Sequence, residues 1–99
     1  MTKVCIYIPG LKHALVLAHD TNTIPSIGDR IYVYAEFLDD YSRRELGETP
    51  AFHCVERNEM TEHMSIAEFL KESVITVTGK GWSYGNGNSY CSLEVDVEY

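Results

Sequence analysis

Residues 74–99 alternate so regularly that few architectures can absorb them. Cys91, Leu93, Val95 and Val97 take every second position against Tyr90, Ser92, Glu94, Asp96 and Glu98. A two-residue period marks a strand with one apolar face and one wet face. The Asn86-Gly87 pair just before it accepts the positive φ angles of a tight hairpin turn. The segment therefore predicts a closing β-hairpin and, behind it, an antiparallel sheet with one buried side.

The register of that hairpin follows from its turn. A two-residue loop pairs Gly85 with Asn88, Ser83 with Tyr90, and Trp82 with Cys91. Continued unbroken, it sets Val77 against Asp96 and Ile75 against Glu98, which wastes the apolar face. One extra residue near Gly79-Lys80-Gly81 repairs the parity. Ile75 and Val77 then join Leu93, Val95 and Val97, while Thr76 and Thr78 join Asp96 and Glu94. A β-bulge is expected at this triplet.

Upstream, Lys3 to Ile8 reads as a strand ending at the turn dipeptide Pro9-Gly10, with a second strand from His13 to His19 pairing back onto it. Val4, Ile6 and Ile8 share a face with Leu15 and Leu17. Asp20 to Asp29 is a loop in which Gly28 supplies an unusual backbone angle and Ile24 and Ile27 tuck toward the core. Arg30 to Phe37 reads as a third strand. Ile31, Val33, Ala35 and Phe37 face one way, and Arg30, Tyr32, Tyr34 and Glu36 the other.

Residues 39–63 carry the weakest pattern. Asp39 to Leu46 suits a helical turn closed by Gly47, and Ala51 to Glu56 a short strand bearing Phe52 and Cys54 on one face. Ser65-Ile66-Ala67-Glu68 is a capping box opening a helix with Ile66, Phe69 and Leu70 as its apolar stripe. The expected fold is one α+β domain over residues 1–99. It is mainly antiparallel β, about five strands in a small open barrel or roll, with one short helix before the C-terminal hairpin. That element order also suits an SH3-like barrel, an analogy of fold alone.

Charge narrows the partners. Fifteen acidic against eight basic residues give a formal charge of −7. Direct nucleic-acid binding is not expected, because phosphates call for a basic patch. No apolar run approaches the ~20 residues that cross a bilayer. No leader-like segment precedes the first strand, so the expected compartment is the cytoplasm. Cys5, Cys54 and Cys91 are odd in number and far apart. They read as reduced packing residues, not a disulfide framework.

Chemistry-bearing motifs are absent from the sequence. His13 and His19 sit at opposite ends of one strand, roughly 20 Å apart, too far to share an ion. No C-x-x-C, H-x-x-x-H or H-E-x-x-H spacing occurs. Neither Cys54 beside His53 nor Ser83 lies on a motif that activates a nucleophile. Gly79-Lys80-Gly81 lacks the length of a phosphate loop. No catalytic residue, metal ligand or cofactor is assigned.

The tyrosines carry more information. Seven Tyr against three Phe is a composition suited to contact surfaces. The leading reading is a non-enzymatic protein-interaction module, binding a protein partner or itself. Its sites are Tyr32, Tyr34 and Tyr90 on a sheet face and Tyr84, Asn86 and Asn88 at the hairpin tip. A second reading is an acidic inhibitor or nucleic-acid mimic for a basic partner, carried by Glu36, Asp39, Asp40, Glu94, Asp96 and Glu98. A third is a small metal- or thiol-dependent enzyme, which needs histidines and cysteines to converge.

Overall fold

The computed structural model of the chain describes residues 2–49 and 63–98. Its elements run β1 (Thr2–Tyr7), β2 (Leu15–Val16), β3 (Arg30–Ile31), a 3-10 turn (Ala35–Phe37), α1 (Asp40–Glu48), α2 (Ile66–Glu72), β4 (Val74–Gly85) and β5 (Asn88–Glu98). The five strands form one curled sheet in the order β2-β1-β5-β4-β3. All its pairings are antiparallel except that of β1 with β5. The expected α+β half-barrel is what forms, with the first and last strands side by side and parallel at its centre.

The closing hairpin keeps the register its turn dictates. Gly85 pairs with Asn88, Ser83 with Tyr90, and Trp82 with Cys91. Asn86 and Gly87 both adopt positive φ, 52° and 76°, which matches the right-handed twist of the flanking strands. The ladder shifts between Val77 and Gly79. The extra residue is thus Thr78, one position before the glycine triplet. Ile75 then faces Val97 and Val77 faces Val95, so the apolar side is continuous.

That side is the core. Val4, Ile6, Leu15, Ile75, Val77, Cys91, Leu93 and Val95 from the strands meet Leu46, Ile66, Phe69 and Leu70 from the helices. Burying each large aliphatic or aromatic side chain contributes roughly 1.5–3 kcal/mol. α2 begins where the capping box places it, with the Ser65 hydroxyl accepting from the Glu68 N–H at 3.3 Å. α1 is longer than the turn the sequence suggests. Asp39 caps it, accepting from the Ser42 N–H at 2.8 Å, and Gly47 lies inside the helix instead of ending it.

Two expected strands are shortened. The segment predicted from His13 to His19 pairs as a strand only at Leu15–Val16. The third, predicted to run to Phe37, pairs only at Arg30–Ile31. It stops where its ladder with β4 ends, and the chain turns back through the 3-10 turn toward β2, where the Ala18 N–H donates to the Phe37 carbonyl and Leu38 bridges to Leu17. Phe37 is consequently exposed, not inward-facing, whereas Val33 is buried. The proposed strand Ala51 to Glu56, with His53 and Cys54, lies outside the described residues.

The loop before β3 crosses the sheet. Thr21 exchanges backbone hydrogen bonds with Thr2 at the start of β1, while the Gly28 N–H donates to the Val77 carbonyl of β4 at 2.8 Å. Gly28 has φ of 97°, the left-handed conformation that glycine adopts without strain. Ile24 packs against the core as expected, but Ile27 points to solvent.

Candidate interaction surfaces

The early end of β3 to α1 gathers aromatic rings. Tyr32 and Tyr34 stack with centroids 6.3 Å apart and planes 9° apart. Tyr34 also meets Phe37 at 6.2 Å in a tilted arrangement. Such contacts hold rings in place while leaving their outer faces free. Tyr32 is 69% exposed and Phe37 61% exposed, and Tyr34 is half-buried between them. The 3-10 turn over Ala35–Phe37 brings position 37 back to 34, which a continuous strand would not do.

The hairpin arm is the second aromatic surface. Trp82 and Tyr84 pair with Cys91 and Ser89 and so share the core side of the sheet. Trp82 flanks the core at Cys91 and Tyr84 lies beyond it opposite Ser89; Trp82 is 47% and Tyr84 76% exposed. Twelve residues of β4 span about 40 Å at strand rise. The molecule's longest dimension is 47 Å, so the arm sets most of its length.

The six sequence-selected positions therefore do not form one site. Tyr32 and Tyr34 follow β3 and lie off the sheet face on which they were expected. Thr76 pairs with Arg30, so Tyr84 stands about 25 Å further along β4. Tyr90 pairs with Ser83 and faces the opposite side of the sheet from Tyr84. Asn86 and Asn88 have local duties at the tip: Asn86 accepts the left-handed angle, and the Asn88 amide donates to the Asn86 carbonyl at 3.4 Å. Phe37 and Trp82 were not selected. Composition singles out tyrosine and gives no signal for either, although Trp82 adjoins the hairpin tip.

The wet face of the sheet carries the acidic row. Glu94, Asp96 and Glu98 are all exposed on β5, spaced two residues apart, or about 6.6 Å. The other acids of the mimic reading are elsewhere and partly occupied. Asp39 caps α1, and Asp40 pairs with Arg43 at 2.8 Å on the surface. Glu36 lies by α2, near Ala67, Glu68 and Lys71. Beside the acidic row, Tyr7, Ile27, Gly79, Gly81, Ser92 and Glu94 surround an open groove of about 550 Å³.

The enzyme reading calls for histidines and cysteines to converge, and the described residues include His13, His19, His63, Cys5 and Cys91. No set of three His, Cys, Asp or Glu residues there is placed to hold a metal ion. Cys91 is buried and Cys5 half-buried, and both are free thiols. Burial pushes both thiols above their ordinary value of 9.0, with Lys3 near Cys5 and Lys80 near Cys91 opposing it. Less thiolate at neutral pH makes each a poorer nucleophile. His13 lines an open groove of about 600 Å³ between the Gly10–His13 turn and α1, with Lys12, Tyr41, Arg44 and Glu48.

No helix among the described residues is long and apolar enough to cross a membrane. Comparisons with protein-family models, curated proteins and solved structures found no match to this chain.

Proposed function

We propose that this chain is a non-enzymatic protein-interaction module, acting through the Tyr32–Tyr34–Phe37 cluster and the aromatic hairpin arm that ends at Tyr84, Asn86, Asn88 and Tyr90. The observation that carries this reading is the stacked yet exposed ring cluster. Aromatic rings held in place by one another lose little entropy on binding and offer large contact area, which is what binding hot spots require. A cytoplasmic setting fits the odd cysteine count and the free thiols Cys5 and Cys91. A charge of −7 argues for a protein partner over nucleic acid.

The test is affinity capture from a native extract with the wild-type chain and with a Tyr32→Ser/Phe37→Ser variant. Both substitutions are at exposed positions, so folding should be retained and is checked by circular dichroism. A genuine partner is retained at least about 10-fold better by the wild type and rebinds it when purified. Equal retention by both chains would sink the reading.

The acidic-mimic reading is supported by one observation, the exposed Glu94, Asp96 and Glu98 row. It calls for a basic partner whose affinity collapses with salt. A captured partner that survives molar salt and is indifferent to Glu94→Gln/Asp96→Asn would count against it.

A further inference from the structure

β4 changes character halfway along its outer edge. Up to Val77 that edge is occupied. Thr76 and Ile75 pair with β3, and the Val77 N–H donates to the Asp29 carbonyl at 2.9 Å. Beyond Val77, no other strand or loop among the described residues bonds to it.

The register shows which groups this bare stretch presents. A β-turn carries its hydrogen bond between the flanking residues, here Gly85 and Asn88. Bonded and non-bonded pairs alternate along an antiparallel ladder. Ser83 with Tyr90, Gly81 with Ser92, and Gly79 with Glu94 are therefore the bonded pairs inside the hairpin. Lys80, Trp82 and Tyr84 turn their N–H and C=O groups outward. The bulge at Thr78 agrees with this phase, because Val77 on its far side also bonds outward, to Gly28 and Asp29.

We propose that this edge pairs with the same edge of a second copy of the chain, antiparallel, about a two-fold axis at Trp82. The outward residues are symmetric about that position. Pairing sets Lys80 against Tyr84 of the second copy and Trp82 against its own counterpart, so every outward donor meets an outward acceptor. On the other side of the sheet, Gly81 meets Ser83 and Gly79 meets Gly85, residues too small to clash. A two-fold interface needs just this self-complementarity, and an arbitrary partner strand would not.

Charge favours the same occupant. The chain carries −7, yet no acidic residue occurs from Ser73 through Leu93, where Lys80 is the one charged side chain. Two copies repel one another least along this stretch. The pairing would bring half-exposed Trp82 rings together across the axis and join two five-stranded sheets into one. It would also satisfy an edge whose one charged side chain is Lys80 and whose bulge, at Thr78, lies before the paired stretch instead of within it. The inference specifies the partner of the hairpin arm and does not depend on the Tyr32–Tyr34–Phe37 cluster.

Sedimentation equilibrium of the full chain across the micromolar range, combined with amide exchange at low and high concentration, tests it. The wild type should dimerise, and the amides of Lys80, Trp82 and Tyr84 should gain protection with concentration. Those of Gly81 and Ser83 should be protected throughout. Trp82→Pro removes the outward N–H at the axis while sparing the hairpin's own ladder, and it should weaken the dimer about 30-fold. Trp82→Thr keeps that N–H and should weaken it less. A wild type that stays monomeric overturns the proposal, even if a different protein binds the arm. So does a dimer whose Lys80, Trp82 and Tyr84 amides exchange freely. Should Trp82→Pro fail to fold, the wild-type exchange pattern alone decides. Partner capture through Tyr32 and Phe37 stands or falls separately.

Discussion

The two edges of the sheet are finished in opposite ways. At β2, the Val16 N–H donates to the Ser42 hydroxyl at 3.0 Å, and the Asp39 N–H donates to the Val16 carbonyl at 2.8 Å. Leu17 bridges to Leu38, and the Ala18 N–H reaches the Phe37 carbonyl. The start of α1 thus acts as a clasp, and Ser42 is buried in doing so. At β4 the equivalent protection, among the described residues, ends with Val77. An edge is closed where the chain happens to return to it, and the edge left bare is where another strand can add.

The largest expected effect probes the point where β4 passes from closed to open. Deleting Thr76 moves Ile75 to the wet face, because a one-residue slip inverts every side chain beyond it. Loss of its burial should cost more than about 4 kcal/mol in urea unfolding. Deleting Thr78 removes only the bulge and leaves Ile75 opposite Val97, so its cost should stay below about 1 kcal/mol. Equal losses from the two deletions would mean the bulge does not set the parity.

Leu15→Ala at the closed edge should cost about 3 kcal/mol, since that side chain is fully buried. Tyr84→Ala at the open edge should change stability by less than about 0.5 kcal/mol. Similar values for the two would erase the distinction between the edges. Within the clasp, Ser42→Ala strips the Val16 N–H of its acceptor and should cost about 2 kcal/mol. Asp39→Ala, which loses the helix cap, should cost about 1 kcal/mol. Thermal or chemical unfolding ranks all four.

The smallest effect is a pH dependence. Cys5 and Cys91 have thiols raised by burial above 9.0 in the folded chain. As pH rises past that ordinary value, the unfolded chain releases these protons first, and deprotonation favours unfolding. Their contribution is therefore complete below about pH 9 and declines above it. A Cys5→Ser/Cys91→Ala variant should show a shallower alkaline decline. An unchanged slope would assign the decline to other groups.

What could be read in the residues was short in range. Asn86-Gly87, Ser65 with Glu68, and Pro9-Gly10 each act through neighbours a few positions away, and the hairpin register and the start of α2 came out accordingly. The alternation in Ile31, Val33, Ala35 and Phe37 is just as regular, yet it yields a two-residue strand. A strand exists only where another strand supplies its hydrogen bonds, and β4 supplies them only as far as Ile31. The selected positions are spread over separate regions for the same reason. Tyr32, Tyr34 and Tyr90 share one face only in a full strand from Arg30 to Phe37, and the ladder ends at Ile31.

The hairpin, its turn, its apolar side and the need for a parity correction are all written in the residues, because turn chemistry and side-chain period are local properties. It took the folded chain to lay β1 parallel to β5, to clasp β2 with α1, and to leave Lys80, Trp82 and Tyr84 on an edge to which no other described segment bonds. Those outcomes depend on which distant segments meet. Loop closure and packing select that pairing over the whole chain, and no window of residues contains it.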